Sequence, residues 1–196
     1  MKYQTILIFG APGSGKGTQG KALDMLPGYF HCACGDVFRS LDANSELGRE
    51  FLEYSSRGEL VPDEITIKLW LDSIHRAERA HKFNPGRDFL VLDGIPRDVS
   101  QAKLMKDIIE VRAFFHLTCP DRDKLMARLK SRALKDNRLD DVNESVIRKR
   151  LETYDLESRP LLEFYGDGPV VSVDATQSPA RVLLEILRTV TRLEEA

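Results

Sequence analysis

The sequence predicts an α/β fold in which helices cover both faces of a parallel sheet. Unbroken apolar runs, such as Phe89-Leu90-Val91-Leu92, alternate with segments whose apolar residues recur at helical spacing. Strands that are apolar throughout are typical of parallel sheets, which are buried on both faces. A third indication is a glycine-rich segment at residues 10–18, which follows an apolar run and precedes a helical pattern.

Five apolar runs are interpreted as the strands of this sheet. The run at residues 89–92 contains no polar side chain, so we expect it in the interior of the sheet. The predicted strands cover residues 5–9, 29–33, 89–92, 112–118 and 170–173.

Helices are predicted where apolar residues recur every three or four positions. Asp36 is expected to cap the second helix, Gly58 to end the third, and Pro160 to kink the long helix before the last strand. Trp70 is expected in the core. The predicted helices cover residues 15–25, 45–56, 62–79, 100–109, 121–131, 144–165 and 179–193, with a further short helix beginning at residue 36.

Two polar stretches lack an apolar period and are interpreted as loops. Residues 80–88 form the first, and we expect His75 and His81 on the surface there rather than as metal ligands. Residues 132–143 form the second, which we interpret as a flap.

Composition excludes several classes of protein. A chain of 196 residues with a net charge of −2 has room for one core with small lobes, and it has no excess of positive charge. We therefore expect neither nucleic-acid nor membrane binding. No apolar run resembles a signal peptide or a membrane span, and three cysteines make no disulfide framework, so we expect a cytoplasmic monomer with reduced thiols.

The glycine-rich segment has the features of a phosphate-binding loop. Glycines let several backbone N–H groups point inward, and the following helix adds free N–H groups and the positive end of its dipole. Lys16 adds a full positive charge, so a nucleotide polyphosphate is the expected ligand. Gly17 stands where the common motif has Ser or Thr, and the hydroxyl group of Thr18 comes one position later.

One carboxylate and several arginines complete the candidate site. Asp93 ends a predicted strand, where a carboxylate can organise Mg²⁺. Guanidinium groups neutralise phosphate chains well, and phosphoryl transfer depends mostly on positioning and on stabilisation of charge. The candidate arginines lie at predicted helix or loop ends and on the flap with its flanking helices: Arg39, Arg97, Arg128, Arg132, Arg138 and Arg150.

Five motifs in order resemble those of the adenylate kinase family, of the short-lid kind. The segment Gly10–Thr18 is similar to GxPGxGKGT, and Gly35-Asp36 with Arg39 is similar to TGDxxR. Residues 58–64 are similar to GxLVPDE, and Asp93–Arg97 with Gln101 to DGFPRxxxQ. Residues 138–154 are similar to the flap pattern RxDD…RLxxY. Together the motifs run nearly from end to end of the chain.

The resemblance implies the P-loop kinase fold and a transferase of nucleotide biosynthesis. Its activity would be the reversible, Mg²⁺-dependent transfer of a phosphoryl group from ATP to AMP, which gives two ADP. It also implies a core domain of residues 1–34, 62–128 and 143–196, a lobe of 35–61 that binds the nucleoside monophosphate, and a short lid of 129–142. Such lids close over the nucleotides and expel water.

The resemblance assigns one set of residues to ATP. Lys16 and the loop amides would hold its phosphates, Arg128 would stack on its base, and Arg132 would reach its phosphates. Asp93 would order Mg²⁺ through water. The implied ATP-binding residues are Gly13, Ser14, Gly15, Lys16, Gly17, Thr18 and Arg128.

A second set is assigned to AMP and to catalysis. Arg39 and Arg97 would bind the phosphate of AMP, Gln101 would read adenine, and Arg138 with Arg150 would bridge both nucleotides. The implied AMP-binding residues are Cys34, Gly35, Arg39, Leu60, Val61, Gly94, Arg97, Gln101, Arg138 and Arg150. The implied catalytic residues are Lys16, Asp93, Arg97, Arg132, Arg138 and Arg150.

The chain departs from the family pattern in three places, and its lid is too short to hold the zinc of some relatives. Cys34 replaces a Thr of the monophosphate base pocket, and Ile95 replaces a Phe. The interval between Arg138 and Arg150 is one residue longer than usual, and the lid has no cysteines with which to hold zinc.

Two other functions are open at this point. A UMP/CMP kinase usually has Ala where Cys34 stands and Asn where Gln101 stands, so Gln101 favours adenine. A non-catalytic nucleotide-binding module would need the glycine-rich loop but not Arg39, Arg97 and Gln101.

Overall fold

The computed structural model describes residues 2–136, 143–166, 168 and 170–194, in which strands and helices alternate as predicted. The strands are β1 (Tyr3–Gly10), β2 (Tyr29–Ala33), β3 (Phe89–Asp93), β4 (Ile109–Thr118) and β5 (Val170–Asp174). The helices are α1 (Lys16–Asp24), α2 (Cys34–Arg39), α3 (Glu46–Arg57), α4 (Asp63–Arg79), α5 (Val99–Met105), α6 (Arg122–Asp136), α7 (Glu144–Thr153), α8 (Leu161–Phe164) and α9 (Pro179–Glu194).

Within the described residues, the five strands form one sheet in the order β2-β3-β1-β4-β5, and all neighbours are parallel. β1 occupies the centre of the sheet and pairs with β3 on one side and β4 on the other. The predicted fold class is therefore confirmed, with β3 in the interior as expected. Because the strands are parallel, their carboxyl ends meet at one edge, where ligands of such sheets bind.

The two faces of the sheet carry separate hydrophobic cores. Phe114 and Phe115 are neighbours on β4 and point to opposite faces, and each is almost fully buried. Trp70 of α4 lies in the core on the side of Phe114 and has no exposed surface, as predicted. Ile186 of α9 lies in the core on the side of Phe115. Helices thus cover both faces.

Two predicted helix ends are wrong. The helix predicted over 100–109 ends at Met105, because Ile109–Val111 pair with Tyr3–Thr5 of β1 and extend β4 by three residues. The helix predicted to end at residue 131 continues to Asp136, so Arg132 lies on α6 and not in a loop. Leu125 and Leu129 of α6 are fully buried against α7. This packing stabilises the helix beyond the last residue of its apolar pattern.

The predictions for helix caps, helix breaks and surface histidines are confirmed in part. Asp36 lies in the first turn of α2, whose N-cap residue is Ala33, so it does not cap the helix. Gly58 ends α3 in the left-handed conformation, as predicted, with φ of 72°. The helix predicted over 144–165 breaks before Pro160, because a π-helical turn at Tyr154–Ser158 follows α7. His75 and His81 are exposed, as expected.

The division into core, lobe and lid stays a prediction. The interval 35–61 contains nearly all of α2 and the whole of α3, whereas the interval 129–142 begins within α6. Among the described residues, no helix has both the length and the apolar character needed to cross a bilayer.

The start of α3 depends on a close approach between Gly48 and the preceding turn. A Cβ atom at Gly48 would lie 2.0 Å from the backbone oxygen of Asp42. The Gly48 N–H group also donates to Oγ of Ser45, the N-cap residue of α3, at 3.0 Å. Since the neighbouring atom belongs to the backbone, the turn itself would have to move to make room for a side chain.

We expect Gly48→Ala to lower the free energy of unfolding by about 1–2 kcal/mol, because overpacking outweighs the better helix propensity of Ala. Denaturant unfolding, together with amide hydrogen exchange of residues 46–57, measures this change. Ser56→Ala is the matched control, because Ser56 is exposed on the same helix and its change should stay within about 0.5 kcal/mol. Equal stability of Gly48→Ala and the control would contradict the close approach.

Candidate active site

A cavity of about 760 Å³ lies beyond the carboxyl ends of β1, β2 and β3. Its wall begins at the glycine-rich loop after β1, continues through Cys34 and Gly35 after β2, and includes Asp93 and Gly94 after β3. Its size is typical of a small-molecule site. The parallel sheet thus brings together segments that are far apart in the sequence.

The loop between β1 and α1 depends on glycines. Gly13 and Gly15 have φ of 83° and 102°, which favour glycine. A Cβ atom at Gly10 would lie 2.6 Å from the backbone oxygen of Leu117 on β4. The loop therefore turns tightly against the sheet, and Gly13, Gly15, Gly17 and Thr18 line the cavity.

Lys16 is the first residue of α1, and its ammonium group turns back over the loop. Its Nζ donates to the backbone oxygens of Gly10 at 2.8 Å and Ala11 at 3.3 Å. Burial lowers the pKa of Lys16 to about 8, although the negative charge of Asp93 opposes this shift. The group is thus a desolvated cation that faces the cavity.

Ser14 differs from its neighbours in the loop. It does not line the cavity, and its backbone N–H group donates to Ala11 at 3.0 Å. Its Oγ atom is buried without a hydrogen-bond partner in the described part of the chain. Its predicted contact with ATP stays a prediction.

Asp93 faces the loop from the end of β3. A Cβ atom at Gly17 would lie 3.3 Å from its Oδ2 atom, so the missing side chain leaves the carboxylate open toward the loop. His31 Nε2 lies 3.9 Å from the same oxygen, which is too far for a hydrogen bond. Burial lowers the pKa of His31 despite the nearby charge of Asp93, so the imidazole is neutral near pH 7 and the contact is not an ion pair.

Another part of the cavity wall contains residues predicted to bind AMP. Arg97 Nε donates to the backbone oxygen of Gly94 at 3.0 Å, and Arg39 forms an ion pair with Asp36 at 2.6 Å. Leu60 and Val61 also line the cavity. These contacts hold two guanidinium groups in the wall of the cavity.

Cys34 and Gln101 lie in the wall beside these arginines. Burial raises the pKa of the Cys34 thiol to about 11, so it is a neutral, weakly polar group. The side chain of Gln101 is bonded at both of its polar atoms, since Oε1 accepts from the Arg97 N–H group and Nε2 donates to Asp63, each at 2.9 Å.

Helices α6 and α7 contribute the remaining predicted arginines. Arg128 donates to the backbone oxygens of Ala175 at 2.9 Å and Gly13 at 3.4 Å, so it rests against the glycine-rich loop. Arg132 and Arg150 line the same cavity. Arg138 lies outside the described residues.

Sequence reasoning missed several residues of the wall. Lys124 and Ser131 also line the cavity. Each lies about one helical turn from Arg128 on the same face of α6. This helical periodicity is the signal that could have found them. Lys21 and Tyr154 also line the cavity, and neither was predicted to belong to the site.

The cavity is electropositive although the chain is not. Among the described residues, eight lysines and arginines line it against three acidic residues, whereas the whole chain carries a net charge of −2. The lining cations are Lys16, Lys21, Arg39, Arg97, Lys124, Arg128, Arg132 and Arg150. This concentration of positive charge in one cleft suits a polyanionic ligand or pair of ligands.

Comparison with known proteins agrees with this geometry. A family model described as "Adenylate kinase" matches residues 8–169. A protein named adenylate kinase from a Cyanothece species is 35% identical over 196 residues, which cover 96% of each chain. Proteins of the same name from Kocuria rhizophila and Leptospira biflexa are 36% and 33% identical, with 95% and 94% of this chain and 98% of theirs covered. The chain belongs to the adenylate kinase family of phosphotransferases.

Proposed function

We propose that this chain catalyses the reversible, Mg²⁺-dependent transfer of the terminal phosphoryl group of ATP to AMP, which gives two ADP. The observation that carries the proposal is the electropositive cavity, which is lined both by the glycine-rich loop with Lys16 and by Arg97 and Gln101. A site that binds one nucleotide needs the loop alone. A site that joins two phosphate chains needs cations at both ends and between them.

ATP would bind at the loop end. The Lys16 ammonium group would exchange its two backbone acceptors for phosphate oxygens, and the amides of the loop would add further hydrogen bonds. Arg132 would reach the phosphates, and Arg128, which already lies against Gly13, would stack on the base. The residues predicted to bind ATP therefore keep that role in the proposal.

The site fits Mg²⁺ that arrives with the nucleotide. In the part of the chain that the structure describes, no group of three or more His, Cys, Asp or Glu side chains could hold a metal by itself. Mg²⁺ is usually held by one or two carboxylates with substrate phosphates and water, and Asp93 offers such a carboxylate toward the loop. When bound, Mg²⁺ would neutralise negative charge that develops on the phosphates.

AMP would bind at the other end. Arg39 and Arg97 would pair with its phosphate, and Gln101 would read adenine with the backbone near Leu60 and Val61. Cys34, Gly35 and Gly94 would complete the pocket around the nucleoside. A neutral thiol at Cys34 gives the base a weakly polar contact and no charge.

Catalysis would then be positioning and stabilisation of charge. An oxygen of the AMP phosphate attacks the terminal phosphorus of ATP, and the bond from that phosphorus to the ADP oxygen breaks. Arg132 and Arg150, together with Arg138, would neutralise the charge spread over the transferring group. The lobe of 35–61 and the lid of 129–142 would close around both nucleotides and exclude water.

We also propose that the protein acts in the cytoplasm as a monomer. The three cysteines are all free, which suits a reducing compartment.

A coupled assay with ATP, Mg²⁺ and each of AMP, CMP, UMP and GMP tests the proposed function. We expect kcat/KM for AMP to exceed that for every other acceptor at least about tenfold, because a buried amide selects bases by hydrogen bonding. A preference for CMP or UMP would indicate a UMP/CMP kinase. No transfer to any acceptor would indicate a nucleotide-binding module.

Replacement of Arg97 should affect AMP alone. We expect Arg97→Ala to raise the dissociation constant for AMP about 10- to 100-fold, because charged hydrogen bonds to phosphate are lost. ATP affinity should change little, since the glycine-rich loop, Lys16 and Arg128 would hold ATP. Calorimetric titration of each nucleotide separately measures both values. Arg87→Ala, which removes an arginine whose side chain is 80% exposed, is the control, and an unchanged AMP affinity in Arg97→Ala would contradict the assignment.

Binding of ATP should be linked to uptake of a proton by Lys16. The pKa of this lysine is about 8 in the free protein, and a bound polyphosphate would raise it. At about pH 8.5 most free protein therefore carries neutral Lys16, so binding takes up a proton and ATP affinity falls as the pH rises through this pKa. Calorimetry without Mg²⁺ in two buffers of different ionisation enthalpy counts the protons. Lys16→Arg, which stays charged, should take up none, and equal heats for the wild type in both buffers would disprove the linkage.

A further inference from the structure

The side chain of Gln101 is hydrogen-bonded to a residue that does not line the cavity. Its side chain lies in the wall and is only 1% exposed. Behind it, Asp63 is the first residue of α4 and does not line the cavity. The hydrogen bond of 2.9 Å from Gln101 Nε2 to Asp63 Oδ1 joins positions that are 38 residues apart.

The two partners of the Gln101 amide group specify which way it faces. The backbone N–H group of Arg97 can only donate, so the atom opposite it must be the oxygen Oε1. Asp63 Oδ1 accepts, and Nε2 is the only donor of the Gln101 side chain, so the atom opposite Asp63 is the nitrogen Nε2. A reversed amide would set N–H against N–H and oxygen against oxygen, and two buried groups would lose their partners.

Asp63 itself is held within a small polar cluster. Asp98 accepts the backbone N–H group of Gln101 at 2.8 Å and so caps α5. Burial raises the pKa of Asp98, and the neighbouring carboxylate of Asp63 raises it further, so the two carboxyl groups lie side by side. The cluster therefore holds Gln101 through its backbone as well as through both ends of its side chain.

The oriented amide has one N–H group and one oxygen lone pair left for a base. Adenine offers an amino donor beside a ring-nitrogen acceptor, which matches one donor and one acceptor in one order only. Hypoxanthine has the same size and shape, but a keto acceptor replaces the amino donor and a ring N–H group replaces the acceptor. An amide that cannot turn over accepts adenine and rejects hypoxanthine.

We propose that Asp63 is a positioning residue that holds the Gln101 amide in the orientation that selects adenine over hypoxanthine as the acceptor base. This inference rests on the proposed function, because it concerns the acceptor of the same reaction. It adds a determinant of specificity outside the wall of the cavity.

Asp63→Asn tests the proposal with AMP and IMP as competing acceptors. An asparagine has the same shape, but it can turn its own amide and donate to a reversed Gln101, so only the Arg97 N–H group still opposes the reversed orientation. We expect the ratio of kcat/KM for AMP to that for IMP to fall at least about tenfold, which is the discrimination expected from one paired base contact. An unchanged ratio in a folded Asp63→Asn variant would overturn the proposal.

Glu64→Gln is the matched control. Glu64 is an exposed acidic residue in the same first turn of α4, so its replacement removes the same kind of interaction with the helix dipole. We expect a changed AMP-to-IMP ratio only in Asp63→Asn. An equal change of the ratio in both variants would mean that Asp63 acts only through the stability of the helix.

A measurement on the wild-type protein applies even if Asp63→Asn does not fold. The side-chain amide of Gln101 should have a nitrogen order parameter near about 0.85, the value of rigid backbone, in the absence of nucleotide. A value below about 0.6 would show that the amide is mobile and would overturn the proposal. The two proposals fail differently, because a wild type that transfers nothing to AMP overturns the proposed function, whereas an Asp63→Asn variant with an intact preference for AMP overturns only the role of Asp63.

Discussion

The turn from β1 into α1 is the constraint on which the rest of the site depends. β1 ends in the middle of the sheet, and the chain must reverse above it within a few residues. At Gly10 a side chain would collide with Leu117 on β4, and at Gly13 it would lie 2.8 Å from the backbone of Leu125 on α6. The loop can therefore lie between sheet and helix only because these positions lack side chains, and this places Lys16 over the cavity.

The concentration of positive charge in that cavity lowers the stability of the folded protein. The pKa of Lys16 is lowered because burial disfavours its charged form, and two backbone oxygens compensate only in part. The neighbouring arginines bind other groups of the protein until a ligand arrives, as Arg39 binds Asp36 and Arg128 binds Ala175. The fold thus holds a preformed anion site at some cost in stability, as is common where function requires charge.

Most of the architecture could be predicted because it depends on local patterns. Five apolar runs became the five strands of the described sheet, and Gly58 and Trp70 took the expected places. The wrong helix ends lie where packing against segments distant in the sequence determines the structure. Ile109 joins β4 because β1 offers it a partner, and α6 continues past residue 131 because α7 covers its buried face. Neither partner is visible in a local window of sequence.

Residue types and their spacing along the chain were enough to predict the phosphate-binding loop, the parallel sheet behind it and a set of arginines suited to two phosphate chains. A short stretch of sequence displays each of these features. How side chains from separate elements meet depends on the folded arrangement. It placed Asp63 behind Gln101, opened Asp93 toward Gly17, and set Lys124 beside Arg128 in one wall. The reason is physical, since a hydrogen bond depends on distance and direction in space, and separation along the chain specifies neither.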